Sequence, residues 1–268
     1  MGYTQWFELG SLDELGRMDS PAHRLDARAK AVVTLAFIAV LMSFDRLQLS
    51  ALTPFVFFPL VLLSVGQLPV RPLARKIAVA APFAILVGLF NPWLDRTPVA
   101  TLGPWVITGG WLSFASILVR FGLTVGAALI LVATTGMYRL GAGLERLGLP
   151  QLFVTQLLFL YRYLFVVADE GSRMVRSVHL RSAGPESLSL RVYGSLVGHL
   201  LLRSMDRADR VHRAMVARGF DGEVRTMDPG RFRWTDALFV IGWLTFFAVA
   251  RVWNLAELGG RWLTGIFL

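Results

Sequence analysis

The stretch QLFVTQLLFLYRYLFVVA, residues 151–168, decides how this chain folds. It is apolar enough to resemble a membrane span, yet it carries Gln156 and Arg162 and runs straight into Asp169-Glu170. The surrounding segment is crowded with Arg. Between Met137 and Arg233 there are fifteen, against nine Asp and Glu, a surplus of six positive charges within a whole-chain net charge of +9. Cytoplasmic loops are the ones enriched in Lys and Arg. If residues 151–168 crossed the bilayer, the Arg-rich part would lie outside. The stretch is therefore expected to lie at the membrane surface or to pack under the bundle.

The flanking sequence supplies the membrane. Of 268 residues 55% are hydrophobic, and long stretches are nearly free of charge, which is the profile of an integral membrane protein. A helix needs about 20 apolar residues to cross the hydrocarbon core. Five segments approach that length: roughly 29–44, 47–66, 77–94, 111–135 and 235–253. Asp45-Arg46 is the only break between the first two, so a tight hairpin is expected there. Pro54, Pro59 and Pro82 fall inside apolar segments and predict kinks whose freed backbone groups are satisfied by neighbouring helices or water.

Charge placement orients the bundle. Arg24, Arg28 and Lys30 precede the first span, Arg71, Arg75 and Lys76 lie before the third, and the loop from Asp95 to Gly110 holds only Arg96. The amino terminus is thus expected inside. Its acidic first 20 residues are unlike the basic-then-apolar layout of a signal peptide. The expected organisation is a cytoplasmic amino-terminal segment (1–28), a four-helix transmembrane region (29–136), an Arg-rich cytoplasmic insert (137–233), and a final transmembrane helix with a short external tail (234–268).

Inside the insert, residues 187–218 read as one long helix. Val197, Leu201, Met205, Ala208, Val211 and Met215 recur every three or four residues as an apolar stripe. Asp206 is spaced to pair with Arg210, and Asp209 with Arg213. A second helix, roughly 152–181, ends before Ser182-Ala183-Gly184-Pro185, where Gly suits a cap and Pro cannot continue the helix. Gly219 closes the other helix in the same way. Each helix has an Arg in its last turn, Arg181 and Arg218, where the negative end of the dipole favours a cation by about 0.3–1 kcal/mol. Ordinary helix-end stabilisation accounts for these two Arg as well as a recognition role does.

Other features point away from chemistry in this chain. Cysteine is absent, which excludes disulfides and thiolate chemistry. Lys30 and Lys76 are the only lysines, and neither follows a Gly-rich phosphate-binding loop. His23, His179, His199 and His212 are scattered without metal-ligand spacing, so no metal site is expected. Asp169-Glu170 reads as two solvated helix charges pointing in different directions. Arg120, inside an apolar segment, must face protein or an interface because lipid exposure is costly. Structural pairing and contact with a partner membrane subunit are its two readings. Trp93, Trp105, Trp111 and Trp253 lie near span ends, where aromatic belts form.

The run Ser20-Pro21-Ala22-His23-Arg24-Leu25-Asp26-Ala27-Arg28 resembles the amino-terminal signature of the transmembrane scaffold, or T component, of energy-coupling factor ABC transporters. Tyr161 to Glu170, Leu201 to Ser204, and Ala214 to Gly222 resemble its cobalt branch, the CbiQ-type permease subunit. The likeness runs in the same order along nearly the whole chain. It implies an all-α integral membrane protein of about five transmembrane helices, plus a cytoplasmic module of long crossed coupling helices. It also implies a non-catalytic subunit of an importer in the bacterial cytoplasmic membrane. Two ABC-type ATPase subunits would bind ATP and Mg, and a separate capture subunit would take cobalt or nickel, cobalt first.

Carried over by position, Ala217-Arg218-Gly219 matches one ATPase-coupling motif fully. Arg181-Ser182 matches the other only in its Arg and small residue, since Leu180 replaces the usual Ala. Arg suits that role because its planar fork holds carboxylates or carbonyls bidentately. The alternative is a membrane-anchored protein whose basic insert binds anionic lipid or nucleic acid. Interleaved Asp, Glu and apolar residues argue instead for a docked helix surface, without nucleic acid. A membrane enzyme would need a nucleophile or metal cluster at the membrane face, and none is evident in the sequence.

Overall fold

The computed structural model describes residues 15–16, 18–45, 48–95, 97–102, 105–181, 189–222 and 232–253. They divide into two compact units. Within the described residues, one unit comprises 15–136 with 232–253, and the other 137–222.

In the first unit a short turn of helix, α1 (Pro21–Arg24), is followed by α2 (Ala27–Met42). Asp26 caps α2 by accepting from the Arg28 N–H at 2.8 Å. A 3-10 stretch, Ser50–Val56, runs directly into α3 (Phe57–Gly66). Pro54 sits in the 3-10 stretch, so the expected kink takes the form of a change of helix type. α4 (Val70–Gly88) and α5 (Asn91–Leu94) follow. A two-stranded antiparallel hairpin, β1 (Pro98–Leu102) and β2 (Trp105–Thr108), then leads into α6 (Gly109–Thr135). The unit is completed by α10 (Trp234–Val252), numbered after three helices of the other unit.

Helices dominate, as the sequence predicts, with three differences. α4 begins at Val70, so Arg71, Arg75 and Lys76 ride its first turns and are not in a loop. The expected outer loop contains the hairpin. Among the described residues four stretches are long and apolar enough to cross a membrane: Val70–Trp93, Gly109–Thr135, Trp234–Val252 and Gln151–Arg181 in the other unit. The two earliest expected spans form shorter elements, the 16-residue α2 and the apolar Ser50–Gly66.

Phe37, Phe55, Phe58 and Phe247 form the centre of this unit, each at most 1% exposed. Phe37 lies 4.7 Å from Phe58 and 5.6 Å from Phe247, which ties α2, α3 and α10 together. Lipid tails are as apolar as these rings, so cohesion comes from close packing and ring geometry more than from escape from water. Gly110 shows how tight the packing is. A Cβ there would collide with the Asn91 carbonyl oxygen, so only glycine fits where α6 starts against α5.

Polar groups brace both ends of the bundle. Arg120 of α6 donates to the Asp45 carbonyl, and Arg251 of α10 donates to Ser43 Oγ at 3.1 Å while lying 4.7 Å over the Phe44 ring. Both guanidiniums thus hold the turn after α2. This is the pairing reading of Arg120. At the amino-terminal end, Lys30 is 3% exposed and donates to the carbonyls of Ala22 (3.2 Å) and Thr134 (2.8 Å). Asp236, 1% exposed, accepts from the N–H of Asp26 (2.9 Å) and of Arg233 (2.7 Å). Outside the bundle, the exposed Asp19 is gripped by both nitrogens of the Arg24 fork at 2.8 Å, which lowers its pKa.

Candidate functional site

The second unit contains α7 (Met137–Arg146), α8 (Gln151–Arg181) and α9 (Leu190–Val216). α8 is one unbroken helix of 31 residues, roughly 46 Å at 1.5 Å per residue. Its apolar part ends at Ala168 and a charged part follows. α9 starts after Ser189, later than expected, because Ser189 has the extended backbone of a residue preceding a helix.

α8 and α9 run antiparallel. Glu170 meets Arg203, a Cβ on Gly171 would touch Leu200, and Phe159 packs 6.1 Å from Phe220. Arg181 therefore lies about 17 Å past Glu170 along α8, and Arg218 about 22 Å past Arg203 along α9, toward opposite ends of the pair. Both side chains are exposed, as are Ala217 and Gly219. Leu180, where an Ala was expected, is 81% exposed. Ser182 lies outside the described residues.

The end of α9 is closed by backbone geometry. The Phe220 N–H reaches the Met215 carbonyl at 3.0 Å, the Gly219 N–H reaches Val216 at 2.9 Å, and Gly219 has φ +82°. This is a Schellman closure, which satisfies the last carbonyls of the helix and needs a left-handed residue at the Gly219 position. Phe220 then turns back onto Phe159. The motif residues Ala217 and Arg218 are thereby held on a closed turn.

Glu170 is the residue that sequence reasoning missed. It accepts from Arg173 Nη2 at 2.9 Å and from Arg203 Nη1 at 2.8 Å, with Arg207 at 3.9 Å. Its side chain is 19% exposed, whereas that of Asp169 is 74% exposed. The expectation of two solvated charges is right for Asp169 and wrong for Glu170. The clue was present: Arg203 and Arg207 sit one turn apart, so a single acid on a neighbouring helix can meet both. Asp209 pairs with Arg213 at 2.6 Å as expected, but Asp206 and Arg210 form no ion pair.

Of the apolar stripe, Val211 and Met215 are half-buried and the rest is exposed. Val197, Leu201 and Met205 are 64%, 58% and 62% exposed. The side toward α8 is instead followed by the half-buried Leu196, Leu200, Ser204, Arg207, Val211 and Met215. At 100° per residue this is a rotation of roughly 70° about the helix axis, made by bringing Arg203 and Arg207 to Glu170. A cleft of about 820 Å³ remains between the helices, walled by Leu152, Phe159 and Tyr163 on α8 and by Val211, Met215 and Phe220 after it. Among the described residues no three His, Asp or Glu gather as a metal site. His199 and His212 are exposed on α9.

The family model for the cobalt transport protein CbiQ matches residues 18–228, from Met18 through both exposed Arg ends. The chain belongs to this family. CbiQ-type proteins are transmembrane scaffold components of energy-coupling factor transporters, so this is a multi-pass membrane component of a transporter. It is 32% identical over 230 residues to the energy-coupling factor transporter transmembrane protein EcfT of Heliobacterium modesticaldum, covering 78% of this chain and 84% of that one. It is 28% identical over 196 residues to the nickel permease LarQ of Lactiplantibacillus plantarum, covering 65% and 71%. Over a shorter stretch, 42% of this chain and 47% of the relative, it is 28% identical to the cobalt transport protein CbiQ of Rhodobacter capsulatus. The CbiQ match spans the α8–α9 pair and the buried Lys30, and stops short of Asp236.

Proposed function

We propose that this chain is the scaffold of an ATP-driven importer, with residues 137–233 on the cytoplasmic side of a bacterial cytoplasmic membrane and two ABC-type ATPase subunits docked on Arg181 and Arg218. The antiparallel α8–α9 pair carries the reading, because it offers two exposed, Arg-tipped helix ends facing apart, one for each ATPase. Closure of the ATPases on ATP and Mg moves these ends. The membrane helices pass the movement to a separate subunit that captures the metal. In this reading residues 151–168 do not span, since the six surplus positive charges of 137–233 follow the inside rule. Arg120 braces the turn after α2 and is at most an indirect support for contact with the capture subunit.

The transported ion is cobalt in this reading, in line with the family model and the CbiQ relative; the LarQ relative makes nickel the competing substrate. The test is to assemble the chain with its ATPase and capture subunits in liposomes and follow uptake of labelled cobalt and nickel. Arg181→Ala and Arg218→Ala should each weaken ATPase retention and ATP-dependent uptake, and the double variant should abolish both. Full assembly and uptake in the double variant would refute docking at these ends; nickel uptake without cobalt uptake would reassign the substrate.

A further inference from the structure

The insert joins the membrane unit at two places, after Thr135-Gly136 and before Arg233-Trp234. Both are held by groups from one short stretch near the amino terminus. Lys30 Nζ donates at 2.8 Å to the carbonyl of Thr134, in the last turn before the chain leaves. The backbone N–H of Asp26 donates at 2.9 Å to Asp236 Oδ1, and the other oxygen of Asp236 accepts the Arg233 N–H at 2.7 Å, where the chain returns. Asp26 and Lys30 are themselves one turn apart at the start of α2. Lys30 also ties α1 through the Ala22 carbonyl at 3.2 Å. His23, 3% exposed, fixes the same corner through Ser20 Oγ at 2.7 Å and the Leu15 carbonyl at 3.0 Å.

We infer that Asp26, Lys30 and Asp236 form a clasp that locks the departing end of α6 and the returning end of α10 to α2, so that movement of residues 137–233 reaches the membrane helices through it. The inference rests on the coupling role proposed above. The physical ground is burial. Lys30 and Asp236 are 3% and 1% exposed, and a buried charge persists only where its hydrogen bonds are supplied. Such groups are costly to separate, so the two chain crossings move with α2 as one body. Arg24, which is exposed and pairs with Asp19, lies outside the clasp. Lys30 and Asp236 are positioning residues in this scheme and touch neither ATP nor the metal.

The test uses the full complex of this chain with both ATPase subunits and the capture subunit in liposomes. Lys30→Met and Asp236→Asn are expected to keep the ATPases bound and hydrolysing ATP, while metal moved per ATP falls about fivefold or more, the lower end of coupling between linked sites. Arg24→Gln should leave the ratio unchanged. An unchanged ratio in both clasp variants would overturn the inference. Failure of the coupling role itself would show earlier, as a parent chain that does not retain the ATPases. A second measurement needs no variant: hydrogen exchange at the Asp26 and Arg233 amides in the parent complex should stay slow during turnover. Exchange that rises with ATP hydrolysis would mean that the clasp opens, and would overturn it even if the variants failed to fold.

Discussion

Arg203 Nη1 lies 2.8 Å from Glu170 Oε1, and this bond joins α8 to α9 across 33 residues of sequence. Arg173 reaches the same carboxylate from its own helix at 2.9 Å, and Arg207 approaches to 3.9 Å. One acid thus serves three guanidiniums, and the bridge is unequal in what each partner's loss would do. Glu170→Gln should loosen the helix pair more than Arg203→Gln, because Arg207 can still approach the acid when Arg203 is gone. A double-mutant cycle on positions 170 and 203, read by hydrogen exchange along α9, should show coupling between them. Additive effects would mean that the bond holds nothing.

The same site has a pH dependence of definite sign. Glu170 lies beyond the apolar run that ends at Ala168, and its hydrogen bonds from Arg173 and Arg203 lower its pKa below the ordinary 4.5. A carboxylate with a depressed folded pKa adds stability that is fully present above its unfolded value and is lost as pH falls through the folded one. The difference in thermal midpoint between parent and Glu170→Gln should therefore be constant from neutral pH to about 5 and shrink below that. A difference that grew on acidification would contradict the bridge. Exposed charge pairs are weakened by salt, so the difference should also narrow in high salt.

Gly219 tests the presentation of Arg218 separately from its charge. Its φ is +82°, and a Cβ there would meet nothing within 4 Å, so Gly219→Ala introduces strain without collision. The cost should be about 1–2 kcal/mol, the usual penalty of a left-handed backbone for an L residue. The expected result is weaker ATPase retention with Arg218 intact, measured by co-purification. Unchanged retention would mean that the turn does not need to be held.

In the membrane unit, Phe247→Ala would remove the ring shared by Phe37, Phe55 and Phe58. Large buried aromatics cost about 3–5 kcal/mol on truncation to Ala. The effect should appear as a lower unfolding midpoint in detergent, with metal uptake per folded complex retained. Phe57→Ala, at a side chain 56% exposed, should change the midpoint far less.

Much of this molecule was legible in the residues taken in order. Apolar length marked Trp111–Thr135 and Thr235–Trp253 within one or two residues of α6 and α10, because a span in lipid must satisfy its own backbone and so must be helical. Gly219 marked a helix end correctly because caps are local chemistry. Motif order carried the resemblance to the family. What the order of residues did not determine is which of two adjacent apolar stripes on α9 faces α8, since period alone allows either and the Glu170 bridge selects one. Nor did it join Asp26 to Asp236 across 210 residues or Lys30 to Thr134 across 104. Those bonds exist because three helix ends are brought to one dry corner, where an unpaired charge or N–H would cost more than bringing them together.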